Sequence, residues 1–255
     1  MPKKRGLSSV DARIIRQRGH TNALEFALSI GLTRDYRNDL RAKKDVIDPS
    51  GDAHSVKSGE KKWQIFLYGI NRFESDFAVM NGIGEILADC IKSFPPKFED
   101  YQKDKRSAKE RLRPNMVKLA QTLQNKTRLR VFLNKSIFNA GEVNYLTVKH
   151  KGIFHIFDRE DVLKVFCDNL EVCNSRAISK NSFPEQKVLL RLNGINLGEI
   201  EMRNDSRGHY REVRFNMIIP RAMLLLLGKI LVAKRYSHLV LVHGIAGKRF
   251  GRWTE

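Results

Sequence analysis

The sequence predicts a mixed α/β fold, a mixed central β-sheet flanked by helices, in one domain spanning residues 1–255. Three patterns carry that expectation. Ile83, Ile86, Leu87, Cys90 and Ile91 repeat at the i, i+3, i+4, i+7, i+8 spacing of a helix with one buried face. Val188, Leu190 and Leu192 alternate, as do Val213, Phe215 and Met217, at the period of strands with one buried face. Lys151-Gly152 interrupts a strand-like stretch from 143 to 157 and marks a turn.

The remaining elements follow in chain order. The first thirty residues read as helical, with Thr21 capping a turn, Leu24, Ala27 and Leu28 on one face, and Gly31 ending it. Residues 40–57 suit a β-turn-β arrangement with Pro49 and Gly51 in the turn. Trp63 to Tyr68 fits either a strand or a buried helix, because periodicity does not separate the two. Pro95-Pro96 ends the helix that passes through Ile91. Residues 97–130 hold eleven Lys/Arg against four Asp/Glu, and Pro114 is expected to break this segment into two helices. Such a run is either a solvated face or an arm that contacts a nucleic-acid backbone. Asp158 can cap a helix carrying Val162, Val165, Phe166 and Leu170. Residues 185–219 read as a β-meander, followed by a helix from Arg221 to Tyr236 and a last strand from Leu239 to His243. The apolar face of that final helix would be core or a dimer contact.

Charge narrows the partners. A formal net charge of +19 points first to nucleic acid and second to an acidic membrane surface. Cys90, Cys167 and Cys173 are odd in number and lack CxxC spacing, so neither a disulfide framework nor a zinc site is expected, and a reducing, cytoplasmic setting is. The N-terminal Met1-Pro2-Lys3-Lys4-Arg5-Gly6 has no apolar core behind it, unlike a secretory signal. The apolar run from Ala222 to Ala233 is too short to span a bilayer, so a soluble protein is expected.

The chemistry concentrates between Lys43 and Gly59, where an acid, Asp45, and a lysine, Lys57, flank a Pro-Ser-Gly turn. Helix with Glu25, strand near Asp45, turn, strand ending at Lys57: this order resembles the PD-(D/E)XK nuclease superfamily and, within it, type II restriction endonucleases. Lys44-Asp45 stands where that family has Pro-Asp, and Ser55-Val56-Lys57 where it has (Asp/Glu)-X-Lys. Gln64 to Tyr68 resembles a Gln-x-x-x-Tyr element found in some members. The resemblance covers roughly residues 20–70. It implies a restriction-endonuclease-like fold and a homodimer that cuts double-stranded DNA with Mg²⁺. Asp45 and a second acid would hold the metal, and Lys57 would orient the attacking water. Ser55 departs from the pattern, since a hydroxyl is a poor magnesium ligand. Glu25, ranked first, Asp48 or Asp52 would then supply the missing carboxylate. The plainer alternative makes Asp45 and Asp48 turn caps and Lys57–Lys62 a solvated hairpin tip.

A second cluster competes. Glu199, Glu201 and Arg203 share a strand face, and Glu185 on a neighbouring strand could complete a rival acidic site, although arginine does not give up a proton to water chemistry. A second use for the loop is base reading. Arg203, Asn204, Asp205, Arg207, His209, Tyr210 and Arg211 offer dense donors and acceptors suited to a major groove, and Arg214 would extend the set to phosphate. A β-turn with surface charges is the alternative there. His150, His155, His238 and His243 read as core histidines, while His54 and His209 are worth testing. A non-catalytic nucleic-acid-binding protein and a metal-independent DNA glycosylase are the rival functions.

Overall fold

The computed structural model describes residues 9–76, 80, 82–177 and 183–254. Helix α1 (Ser9–Ser29) leads into β1 (Val46–Ile47), β2 (Ala53–Lys57) and β3 (Lys62–Tyr68). Helices α2 (Ile70–Asp76), α3 (Ile83–Lys92), α4 (Phe98–Lys103), α5 (Lys105–Gln124) and α6 (Lys126–Phe138) follow. Then come β4 (Tyr145–His150), β5 (Ile153–Asp158), α7 (Arg159–Asn169), β6 (Glu171–Asn174) and β7 (Lys187–Leu192). The chain continues through β8 (Ile195–Arg203), β9 (Glu212–Ile218), α8 (Ile219–Lys229), β10 (Val232–Ser237) and β11 (Val240–His243). The class is α/β, with two sheets flanked by helices. No described helix is long and apolar enough to cross a membrane.

The chain divides into two compact units, each assembled from separated segments. The first comprises residues 1–59, 141–161 and 230–255 and holds a six-stranded sheet in the order β1-β2-β4-β5-β11-β10. The pairs β2/β4 and β5/β11 are parallel, and the other neighbours are antiparallel. Parallel neighbours need long crossovers. Here the β2-to-β4 and β5-to-β11 connections supply the segments of the second unit, residues 60–140 and 162–229. That unit holds a wholly antiparallel sheet, β3-β9-β8-β7-β6.

In the first unit, Ala23, Phe26, Ala27 and Ile30 form the buried stripe of α1, packed with Val46, Tyr145, Phe154, Ile156, Val240 and Val242. The stripe is rotated from the expected one, since Leu28 is 46% exposed. Thr21 is no cap: it lies inside α1 and its hydroxyl donates to the Gln17 carbonyl. Gly31 does end the helix. At φ +87°, it lets its own N–H reach the Leu28 carbonyl and the Leu32 N–H reach that of Ala27, the paired closure of a Schellman turn.

Pro114 lies within a continuous α5 and does not divide it. The proline vacates the bond to Glu110 O, and on either side of it Gln186 donates to Lys109 O and Ser93 to Arg111 O. The breaks fall at Asp104 and Asn125, whose side chains cap the Ser107 and Arg128 N–H groups. Trp63 to Tyr68 resolves as strand β3. The C-terminal helix stops at Lys229, because 232–237 pair as β10 with β11. The Lys151-Gly152 turn, the Asp158 cap on the Glu160 N–H and the meander all form as expected.

His155 and His243 are buried in the first unit and bonded through His155 Nδ1 and His243 Nε2 (3.0 Å), while His243 Nδ1 faces the Ile230 carbonyl (3.2 Å). Both contacts are satisfied when each ring carries its proton on Nδ1. His238, by contrast, is exposed in the β10–β11 turn and is no core residue. Burial lowers His155 to about 4, helped by His243 and His150, and burial also lowers His243.

Two outcomes are expected. Phe26→Ala lowers the unfolding free energy by about 3–5 kcal/mol in a urea titration, because it empties the centre of the α1 contact. The unfolded chain takes up the His155 and His243 protons near pH 6.5, and the folded chain takes up that of His155 only near 4. The unfolded state therefore binds more protons in between. This contribution to stability is complete above about pH 6.5 and lost progressively toward 4. Urea midpoints that stay flat from pH 7 to 5 would contradict it.

Candidate functional site

The hairpin β1–β2 assembles the candidate site in the first unit. Asp48 turns the chain: it is buried, and its Oδ1 accepts the Ser50 N–H (3.0 Å), the Ser50 hydroxyl (2.6 Å) and the Asp52 N–H (3.0 Å). Gly51, at φ +90°, closes the turn by donating to Asp48 O. Asp48 Oδ2 meets His54 Nε2 at 3.2 Å, and His54 Nδ1 meets the Thr147 hydroxyl at 2.8 Å. Both His54 and Asp48 are therefore structural members of a buried polar chain. Asp52 is likewise engaged, accepting the Tyr145 hydroxyl (3.0 Å).

Past that turn, Asp45 and Lys57 meet. The Asp45 carboxylate accepts the Val56 N–H (2.7 Å) through Oδ2 and lies 3.6 Å from Lys57 Nζ. Each side chain is 21% exposed, so the pair is held yet reachable from solvent. Ser55 and Lys57 share a face of β2 by strand alternation. The Ser55 hydroxyl is buried and has no hydrogen-bond partner among the described residues. Glu25 does not join Asp45 in a carboxylate pair. Its partner is Lys149 of β4 (2.5 Å), which also reaches Asn22, while Asn22 donates to the Ser58 hydroxyl. Lys149 and Thr147 alternate onto the His54 face of the sheet, opposite Lys57. The neighbouring Lys44 pairs with Glu142 (3.0 Å).

Each acid expected at the magnesium site has a partner of its own. Asp45 is paired with Lys57, Asp48 and Asp52 accept hydrogen bonds, and the Ser55 hydroxyl is buried. Among the described residues, no group of three or more His, Cys, Asp or Glu side chains could hold a metal ion. The Gln64–Tyr68 element is strand β3 of the second unit.

The rival acids belong to a different network. Glu199 accepts from Lys62 (2.5 Å) and Lys187 (3.1 Å), and Lys187 also pairs with Glu201. Burial would raise Glu199, but these lysines outweigh it and hold the carboxyl below its usual range. Burial likewise opposes charge on Lys187, yet Glu201 and Glu199 raise it. Glu185 stands apart, paired with Arg113. The sequence reading missed Lys187 and Lys62. Counting back from the two positive-φ residues Asn193-Gly194 and allowing one bulge sets Lys187 opposite Glu201.

Most of the expected base-reading groups already have partners. Arg203 grips Asp205 through two bonds (2.6 and 2.9 Å), His209 meets Glu212 (2.8 Å), and Arg207 pairs with Glu99. Arg214 is bonded to Glu201 (Nε, 3.0 Å). Tyr210 donates to Pro95 O (2.7 Å) and packs on Phe98; burial pushes its hydroxyl up to about 12. Arg211 Nε donates to Ile91 O (3.4 Å), and Asn204 is half-buried at the end of β8. No family model and no curated protein matches this chain.

One consequence separates the two carboxylates of the hairpin. Asp48→Asn lowers stability by about 1–3 kcal/mol, because a buried acceptor set is broken. Asp45→Asn, at a partly open site, leaves the thermal midpoint within a few degrees. Equal destabilisation by both, in parallel melts, would make Asp45 a structural residue.

Proposed function

We propose that this protein is a DNA-directed phosphodiesterase, a sequence-specific endonuclease of the restriction type acting as a homodimer, with Asp45 and Lys57 at its reactive centre. The observation that carries the reading is the 3.6 Å approach of Lys57 to Asp45 at a partly open hairpin end, in a chain of net charge +19. A lysine held by a neighbouring carboxylate keeps a fixed position. Such a group can donate to a phosphate oxygen, orient a water and offset the negative charge that develops on attack. Twofold symmetry would present two such centres to the two strands of a palindrome. The magnesium that the resemblance implies would be held by Asp45 together with a second acidic donor.

The bond from the Val56 N–H to Asp45 favours a second reading, a non-catalytic DNA-binding protein in which Asp45 is only a hairpin bracket. Long duplex DNA incubated with wild-type protein and with Lys57→Ala, each in Mg²⁺ and in EDTA, separates the two. The nuclease reading expects discrete fragments from wild type in Mg²⁺ alone. It also expects a loss of at least about 10²-fold in rate for Lys57→Ala and DNA binding within a few-fold of wild type. Intact, retarded DNA in every tube supports the binding protein, and damage that survives EDTA supports a glycosylase.

A further inference from the structure

The second unit contains an open groove of about 760 Å³ between the start of α2, the Pro96–Glu99 segment and the loop joining β8 to β9. Four cations line it, Arg72, Lys97, Arg207 and Arg211, against two acids, Glu99 and Glu212. We propose that this groove is a docking site for the sugar-phosphate backbone of duplex DNA, where the Arg207–Glu99 ion pair of the free protein is exchanged for a phosphate contact. The inference rests on the DNA-directed reading above and adds to it a second contact site, with a release step.

The groove is built to hold its shape. Tyr210 is pinned by its bond to Pro95 O and by the rings of Phe94, Phe98 and Tyr101, at centroid distances of 6.1, 5.2 and 5.6 Å. That cluster fixes the loop on which Arg207 and Arg211 stand. Arg211 is anchored through Nε to Ile91 O, which leaves its two terminal nitrogens outside that bond. Arg72 stands over the Tyr68 ring at 5.3 Å. Guanidinium groups on rigid supports suit phosphate oxygens, which accept in a bidentate manner.

The Arg207–Glu99 pair is the changeable part. Both side chains are largely exposed, at 78% and 51%. An exposed pair is weakly held. An arriving phosphate can take the arginine from the carboxylate, against the repulsion of Glu99. Base reading is not required of any of these groups. Contacts of this kind position DNA without reading its sequence.

The test measures anisotropy of a short fluorescent DNA duplex over a range of salt, in EDTA so that nothing is cut. Lys97→Ala/Arg207→Ala should reduce the slope of log K against log salt by about two and weaken binding alike on unrelated sequences. Glu99→Gln should tighten binding about two- to fivefold, the worth of one exposed ion pair released. A misfolded variant cannot mimic that gain. Arg106→Ala, on α5 outside the groove, should change neither. The proposal is overturned if the double variant keeps wild-type affinity and slope. It is also overturned if wild type binds no duplex, or if the double variant loses only RNA binding. Groove-independent binding with intact cleavage removes this inference alone. Groove-dependent binding without cleavage removes the nuclease reading alone.

Discussion

One buried carboxylate organises the part of the molecule on which the functional argument stands. Asp48 gathers three donors from its own turn and a fourth contact from His54, which in turn reaches Thr147 on β4. The turn sets the register of β1 against β2, Val46 opposite His54 and Ile47 opposite Ala53. Because of that register, Asp45 lies beside Val56 and Lys57 and no other pairing is needed to bring them together. A slip by one residue would turn Lys57 to the His54 face and separate the pair. The link to Thr147 ties the hairpin to the parallel β4 strand, so its orientation is shared with the rest of the six-stranded sheet.

The second unit carries its charge differently. Glu199 and Glu201, each largely buried, are neutralised in place by Lys62, Lys187 and Arg214 across four neighbouring strands. Glu199 has Lys62 and Lys187, and Glu201 has Lys187 and Arg214, so removing any one cation leaves each acid a partner. The network ties β3, β9, β8 and β7 together across the sheet. The groove beside the β8–β9 loop holds an exposed ion pair, Arg207–Glu99.

The legible parts of the sequence were those set by local chemistry. Lys151-Gly152 needs positive φ at both positions, and the hairpin follows from it. The apolar spacing of α3 and the Asp158 cap are equally local. Thr21 misled because a hydroxyl inside a helix can bond back to the i−4 carbonyl instead of capping. Pro114 misled because a proline can sit inside a continuous helix at the loss of one bond, to the Glu110 carbonyl. Residues 232–237 looked helical until their pairing with β11, a tertiary event, is considered. The same boundary runs through the site. Asp45 and Lys57 are twelve positions apart on one hairpin and were found. The partner of Glu25 is Lys149, from a distant strand, and no local pattern links the two.

The most direct measurement is chemical replacement of the lysine. Lys57→Cys, treated with 2-bromoethylamine, carries an ammonium at nearly the length of the original side chain. The account predicts that the untreated variant does not cut duplex DNA and that aminoethylation restores cleavage. Wild-type protein treated in parallel controls for modification of the half-buried Cys173. Cleavage by untreated Lys57→Cys at the wild-type rate would contradict the account. So would a treated variant that stays inactive while treated wild type cuts.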